Sequence, residues 1–289
     1  VVNAVVGAAG LRASVAALQA GNRLALANKE SLVAGGPIVA ELVRRGGEIL
    51  PVDSEHSALF QLLAGRDPAE VRRLIVTASG GPFRGWTMER MAAATPAEAL
   101  RHPTWTMGPR ITIDSATLMN KAMEVIEAHH LFGFDYDRIE VVVHPQSVVH
   151  GLIEMSDGAL LAHLGEPDMR IPIRYALTHP QRGERPARPY PLAGTTLAFE
   201  APDFDAFPCL RLGYEAGRAG GAAPAVLNAA DEIAVQAFLT GRIGFGSIAV
   251  VVERTLTDLG SGAVASVADV LAVDRAARAV ATDHLGNSC

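Results

Sequence analysis

GEILPVDSEH, Gly47 to His56, is an apolar run that rises out of a glycine turn and ends on two carboxylates and a histidine. It reads as the third strand of a repeating pattern. VVNAVV (Val1–Val6) reads as a buried strand and LRASVAALQAG (Leu11–Gly21) as a short amphipathic helix ended by glycine. RLALANKES (Arg23–Ser31) is a second strand with a polar exit, and GPIVAELVRRGG (Gly36–Gly47) a second helix. Strand and helix alternating at this spacing favour a parallel sheet in an α/β fold, whose ligands sit beyond the C-terminal ends of the strands. Asn28, Lys29, Glu30, Asp53 and Glu55 all fall at such ends.

Asp53 and Glu55 pose a charge problem. Residues two apart in an extended backbone point the same way, so the two carboxylates would repel. Water, a shared proton, a basic residue or a metal would have to compensate, unless the stretch is a solvated loop.

RRLIVTASGGPFRG (Arg72–Gly85) is a strand running into a Ser-Gly-Gly turn, whose glycines would let a phosphate approach the backbone closely. After a short helix, RHPTWTMG (Arg101–Gly108) lacks periodicity; its His102, Trp105 and Met107 suit a loop that closes over a ligand, with Trp105 buried in the core as the alternative. DSATLMNKAMEVIEAHHLFG (Asp114–Gly133) is read as one helix, with Ser115 at its start, where free N–H groups favour an anion. Its Asn120, Lys121 and Glu124 share a flank beside the apolar stripe, or are a solvated face. IEVVVH, VVHGLIEM and ALLAHL are three further strands; His144 and His150 flank the first turn and read as structural, as do His129 and His130 at a helix end. HPQRGERPARPYPLAG (His179–Gly194) is the linker candidate, and four helical segments follow it.

The 289 residues are 49% apolar and 19% charged, with a net charge of -6. That balance argues against nucleic acid or an anionic membrane as a partner. No apolar run approaches the roughly 20 residues of a membrane span, and no signal peptide is evident. Cys209 and Cys289 have no metal-ligand spacing, which points to a reducing, cytoplasmic setting. The chain opens at Val1 inside an expected strand, without an initiator Met, which suggests a fragment or a trimmed chain.

LANKESLV, PVDSEH, TASGGPFR, HPTWTMG, DSATLMNKAMEVIEAH, VVHPQSVVH and LGEPDMRIPI, in this order, resemble the 1-deoxy-D-xylulose 5-phosphate reductoisomerase family, and FPCLRL and LNAADE extend the likeness to the C-terminal part. The resemblance implies a remnant of a Rossmann-like NADPH-binding sheet (1–52), an α+β catalytic domain with the metal and substrate site (53–178), a linker (179–204) and a C-terminal helical bundle (205–289). It implies that 1-deoxy-D-xylulose 5-phosphate rearranges with a divalent metal (Mn²⁺, Mg²⁺ or Co²⁺). NADPH then reduces the product to 2-C-methyl-D-erythritol 4-phosphate, in the non-mevalonate isoprenoid pathway. Asp53, Glu55 and Glu124 resemble the metal ligands. Lys29 and Ser54 resemble contacts to the substrate's oxygens, and Ser79, His102, Ser115, Asn120 and Lys121 the phosphate pocket. With the metal ligands, Lys29 and His102 form the implied catalytic set. Asn28, Glu30 and Gly108 correspond to NADPH contacts, Trp105 and Met107 to a mobile lid, and the family is expected to be homodimeric. Ala122 stands where the family commonly has Gly. GAAG (Gly7–Gly10) is too short for the dinucleotide fingerprint G-x-G-x-x-G, so the 289 residues alone are expected not to reduce substrate. The rivals are a metal-dependent sugar-phosphate isomerase or aldolase without a redox step, and a sugar-phosphate-binding module without turnover.

Overall fold

Three short parallel strands open the chain in the computed structural model, which describes residues 1–184, 190–260 and 262–286. They are β1 (Val2–Asn3), β2 (Leu24–Leu26) and β3 (Ile49–Pro51), in the order β1-β2-β3, with α1 (Gly10–Gln19) and α2 (Glu30–Arg44) as the crossovers. β2 is wholly buried between its neighbours. The first run is not the buried strand its composition suggests. β1 is the outer strand and only two residues long; Asn3 is buried, whereas Val1 and Val2 are 60% and 57% exposed. The helix expected from Gly36 begins six residues earlier, at Glu30, because Leu32, Val33 and Ala34 already pack into the core. Gly35 leaves the helical range and kinks α2 ahead of Pro37, whose missing N–H would break the ladder in any case. A Cβ on Gly36 would lie 2.1 Å from the His130 ring, so this glycine sets how closely the helix carrying His130 approaches.

After β3 the chain turns into α3 (Ser54–Leu63) and then a second sheet. Its strands β4 (Val71–Ala78), β5 (Ile139–Val143), β6 (Val149–Met155) and β7 (Leu160–Leu164) lie in the order β5-β4-β6-β7. β4 is parallel to β5 and antiparallel to β6, which is antiparallel to β7. Between β4 and β5 run α4 (Met88–Ala92), α5 (Pro96–Ala99), α6 (Pro109–Ala116) and α7 (Met119–Phe132); α8 (Arg170–Thr178) follows β7. The four expected C-terminal helices form: α9 (Pro208–Ala219), α10 (Ala223–Leu239), α11 (Ser247–Leu259) and α12 (Val267–Gly286).

One apolar core joins the second sheet to α7 and to these helices, through Leu74, Val76, Met119, Ile126, Leu210 and Phe238. α7 meets α9 where a Cβ on Gly213 would lie 2.3 Å from Cβ of Ala122. The methyl of Ala122 thus occupies room that glycine leaves on the facing helix. Glu200 pairs with Val143 at the edge of β5, which ties the linker region to the sheet. Residues 185–189 of the linker, and Cys289, lie outside the described residues.

Candidate active site

A cavity of about 240 Å³ opens where β2, β3 and β4 end, beneath the corner between α6 and α7. β3 stops at Pro51, and the strand does not continue through Glu55 as its sequence suggests. Asp53 (φ -53°, ψ 136°) caps α3, its carbonyl accepting from the Ser57 amide at 2.8 Å, and Glu55 lies in the first turn, where the helix dipole favours an acid. The two carboxylates therefore sit at a helix start and not on one face of a strand, but they remain close enough to interact: burial raises Glu55, and the neighbouring Asp53 adds to it.

Two lysines supply the compensation. Lys29, on the exit from β2, places Nζ 2.5 Å from Asp53 Oδ2 and 3.1 Å from Glu124 Oε1. Lys121 places Nζ 2.6 Å from Glu55 Oε1 and 2.6 Å from Glu124 Oε2. Acid and ammonium alternate: Asp53, Lys29, Glu124, Lys121, Glu55. The flank of α7 is thus no solvated face; Lys121 and Glu124 are buried. Burial, and then the nearby Glu124 charge, push Glu55 up to about 7. For Asp53, burial pulls upward but the Lys29 ammonium wins and holds it well below the usual carboxylate range. Burial works against the charge of Lys29 and Lys121, and the surrounding carboxylates overcome it, so both are raised.

Behind these groups His56 donates from Nε2 to the Glu124 carbonyl at 2.9 Å and sets Nδ1 3.4 Å from Glu127 Oε2. Burial lowers the His56 pKa, but Glu127 and Asp53 outweigh it and raise it to about 9. Asp53, His56 and Glu124 offer ligand atoms within 4.8 Å of one another. Glu55 is turned toward Lys121 and accepts from its own neighbour, Ser54. Buried, hard oxygen donors that outnumber the ammonium groups between them fit a hard divalent cation.

The other wall holds the candidates for a phosphate. Ser79 lies just beyond β4, and its Oγ accepts from the Gly81 amide at 3.2 Å. A Cβ on Gly81, already in the left-handed region at φ +67°, would lie 2.6 Å from the Ser115 carbonyl; glycine lets this turn close against α6. His102 Nδ1 accepts from the Thr104 and Trp105 amides at 3.1 and 2.8 Å, which leaves the proton on Nε2, 2.9 Å from Ser79 Oγ. Burial and then the Lys121 charge lower its pKa to about 4, so the ring is neutral at pH 7.

Ser115 is not at a helix start. It lies near the end of α6, and α7 begins at Met119 after Leu118 takes the left-handed conformation (φ 60°). The helix start at the cavity belongs to α7, with Asn120 and Lys121 in its first turn. Trp105 and Met107 are half-buried and line the cavity, as does Met169 before α8, so Trp105 is not a core residue.

The structure brings Lys29, Asp53, Ser54, Glu55 and Glu124 into one cavity with Ser79, His102, Ser115, Asn120 and Lys121. Asn28, Glu30 and Gly108 do not line it. Asn28 donates from Nδ2 to the Val5 and Gly7 carbonyls at 2.6 and 3.0 Å, and Glu30 accepts from the Gly7 amide at 3.0 Å; together they brace the turn between β1 and α1. Gly108 is the exposed N-cap of α6. The sequence reading missed Thr77, Leu118 and Ser147, and treated His144 and His150 as structural; all five line the cavity. Leu118 and Ser147 are the two non-glycine residues with positive φ among the described residues, a conformation the sequence does not signal.

Family models match three stretches: 1-deoxy-D-xylulose 5-phosphate reductoisomerase over residues 1–36, its C-terminal domain over 49–132, and the DXP reductoisomerase C-terminal domain over 164–280. The 1-deoxy-D-xylulose 5-phosphate reductoisomerase of Gloeobacter violaceus is 54% identical over 280 residues, covering 96% of this chain and 71% of that protein. That of Cyanothece sp. is 52% identical over 285 residues, covering 96% of this chain and 73% of that protein. Among solved structures, the Zymomonas mobilis enzyme in complex with NADPH superposes with a TM-score of 0.93 at 48% identity, covering 98% of this chain and 74% of that one. A DOX-P reductoisomerase in complex with NADPH, fosmidomycin and magnesium gives 0.91 at 42%, covering 99% and 75%.

Proposed function

We infer the reaction from the family: this chain belongs to the 1-deoxy-D-xylulose 5-phosphate reductoisomerases. It takes part in the metal-dependent rearrangement of 1-deoxy-D-xylulose 5-phosphate and the NADPH-dependent reduction that yields 2-C-methyl-D-erythritol 4-phosphate. The observation that supports this most is the one cavity that three carboxylates share with a Ser, His, Asn and Lys set.

Asp53, Glu55 and Glu124 would hold a divalent cation, which when bound polarises the substrate's carbonyl and stabilises developing enolate charge. Lys29 binds the substrate's oxygens, with its ammonium held in place between two acids. Ser79, Ser115, Asn120 and Lys121 orient the phosphate, and neutral His102 donates toward Ser79 and steadies that pocket. Trp105, Met107 and Met169 exclude water over the reacting carbons. NADPH supplies a hydride; Asn28, Glu30 and Gly108 would hold or brace its binding site. We further propose manganese as an alternative to magnesium, a cytoplasmic setting, and a homodimer. Support for the dimer comes from the open outer edge of β7, where Leu160 and Leu164 are 59% and 40% exposed.

The test follows NADPH oxidation and product formation with 1-deoxy-D-xylulose 5-phosphate and Mg²⁺. It uses the 289-residue chain beside a version extended upstream to its relatives' length. The extended protein should form 2-C-methyl-D-erythritol 4-phosphate and lose activity with EDTA. Rearranged aldehyde without NADPH oxidation would favour the isomerase, and binding without product the non-catalytic module.

A further inference from the structure

Arg110 is the second residue of α6, outside the cavity, and one guanidinium there joins three elements. Nη1 donates to Glu30 Oε1 at 3.0 Å and to Glu232 Oε1 at 2.8 Å, and Nη2 donates to Asn228 Oδ1 at 2.8 Å. Glu30 opens α2, next to Lys29; Asn228 and Glu232 belong to α10. Glu232 is held in turn by Arg278 of α12, Nη2 to Oε2 at 2.6 Å. Partly buried charged hydrogen bonds of this kind fix geometry, and a planar fork holds its acceptors in one fixed plane, which an ammonium does not.

The helix that Arg110 anchors is a lever. Its N-cap, Gly108, directly follows the Trp105–Met107 loop, and Ser115 near its other end lines the phosphate side of the cavity. Among the described residues, no lining residue lies beyond Met169, so the C-terminal helices shape the site only through what they hold in place.

We propose that Arg110 is a positioning residue: by tying α6 to Glu30 and to α10 it sets both the hinge of the Trp105–Met107 loop and the place of Ser115, so that closure over a phosphate-bearing ligand depends on a contact made outside the cavity. This rests on the sugar-phosphate reading of the site.

The chain has two tryptophans. Trp86 packs on Phe83, away from the cavity, so Trp86→Phe leaves Trp105 as the sole reporter of the loop. In that background, fosmidomycin with Mg²⁺ is titrated while Trp105 fluorescence is read, and melting temperature is measured in parallel. Arg110→Met should raise the titration midpoint at least tenfold. Glu232→Gln should raise it severalfold, and the double variant should be no worse than Arg110→Met. Arg110→Lys, which restores the charge without the fork, should recover most of the melting temperature while the midpoint stays raised severalfold. Midpoints within twofold of the parent for Glu232→Gln and for whichever Arg110 variants fold, or recovery of binding and melting temperature together in Arg110→Lys, would overturn the proposal. A parent protein that gives no response to fosmidomycin would overturn the functional reading, and this inference with it.

Discussion

Two clusters of buried acid lie on either side of α6 and are neutralised in opposite ways. In the cavity, Asp53, Glu55 and Glu124 each have a lysine ammonium within 3.1 Å. Toward the C-terminal helices, Asp114 and Asp231 are 3% and 0% exposed, and the nearest cation, Arg110, is 3.7 Å from each. One oxygen of Asp114 and both of Asp231 have no hydrogen-bond donor from a cation, with Arg110 at ion-pair distance only, and burial raises both carboxyls, which favours a proton shared between them. The first cluster lines the cavity, with its lysines between the acids. The second is closed, with the planar fork of Arg110 beside it. The same side-chain chemistry lines a cavity in one place and braces helices in the other; what differs is access to open space.

The largest expected effect tests the open cluster. Glu124 accepts from both lysines, and the amide of Glu124→Gln keeps its size while removing the shared negative charge. In the protein extended upstream, turnover should fall by about 10³-fold, roughly 4 kcal/mol of transition-state stabilisation, with the circular dichroism spectrum retained. Turnover within tenfold of the parent in steady-state NADPH oxidation would break the comparison, because Glu124 would then be as structural as Asp231.

Lys121 gives the next effect. Lys121→Met leaves Glu55 and Glu124 buried around a missing charge, which should cost about 3 kcal/mol of stability in metal-free protein. A divalent cation among the same acids should return much of that, so Mg²⁺ should raise the melting temperature of the variant more than that of the parent. Equal Mg²⁺ shifts in the two proteins would show that lysine and metal do not answer the same charge.

These two clusters were unequally legible. Alternation of apolar runs with polar exits marked Lys29 and Asp53, because a strand end is a local feature. That Asp53 caps a helix was hidden, since PVDSEH has no glycine or break between strand and helix. Ser115 was misplaced for a related reason: α6 and α7 are separated at Leu118, an apolar residue in a left-handed conformation that periodicity cannot distinguish from a helical one. Helical spacing put Glu124 on one flank with Asn120 and Lys121, but no spacing joins that flank to Asp53 and Glu55. The closed cluster escaped entirely, because Asp114 meets Asp231 only once α10 has packed on α6, and nothing in either segment names the other.

The smallest effect separates the clusters by sign. Burial raises Asp114 to about 6 and Asp231 well above its ordinary value near 3.8. A carboxyl with a raised folded-state pKa holds its proton more tightly when folded. Its contribution to stability is therefore present below its unfolded value and lost as pH rises through the folded one. Asp231→Asn keeps a neutral donor beside Asp114 at every pH, so its melting temperature should gain on the parent's by a few degrees between about pH 4 and pH 7. Asp53, held low by Lys29 against the effect of burial, behaves in the opposite sense: its contribution is present above 3.8 and lost as pH falls through its depressed value. Asp53→Asn should therefore lie below the parent by a constant margin from pH 4 to pH 7, and that margin should shrink only as pH falls below about 3.8. Melting curves of the three metal-free proteins, carried from pH 7 down to about pH 3, give both behaviours at once. Parallel drift of the two variants would mean that a fixed charge, and not a shared proton, lies between Asp114 and Asp231.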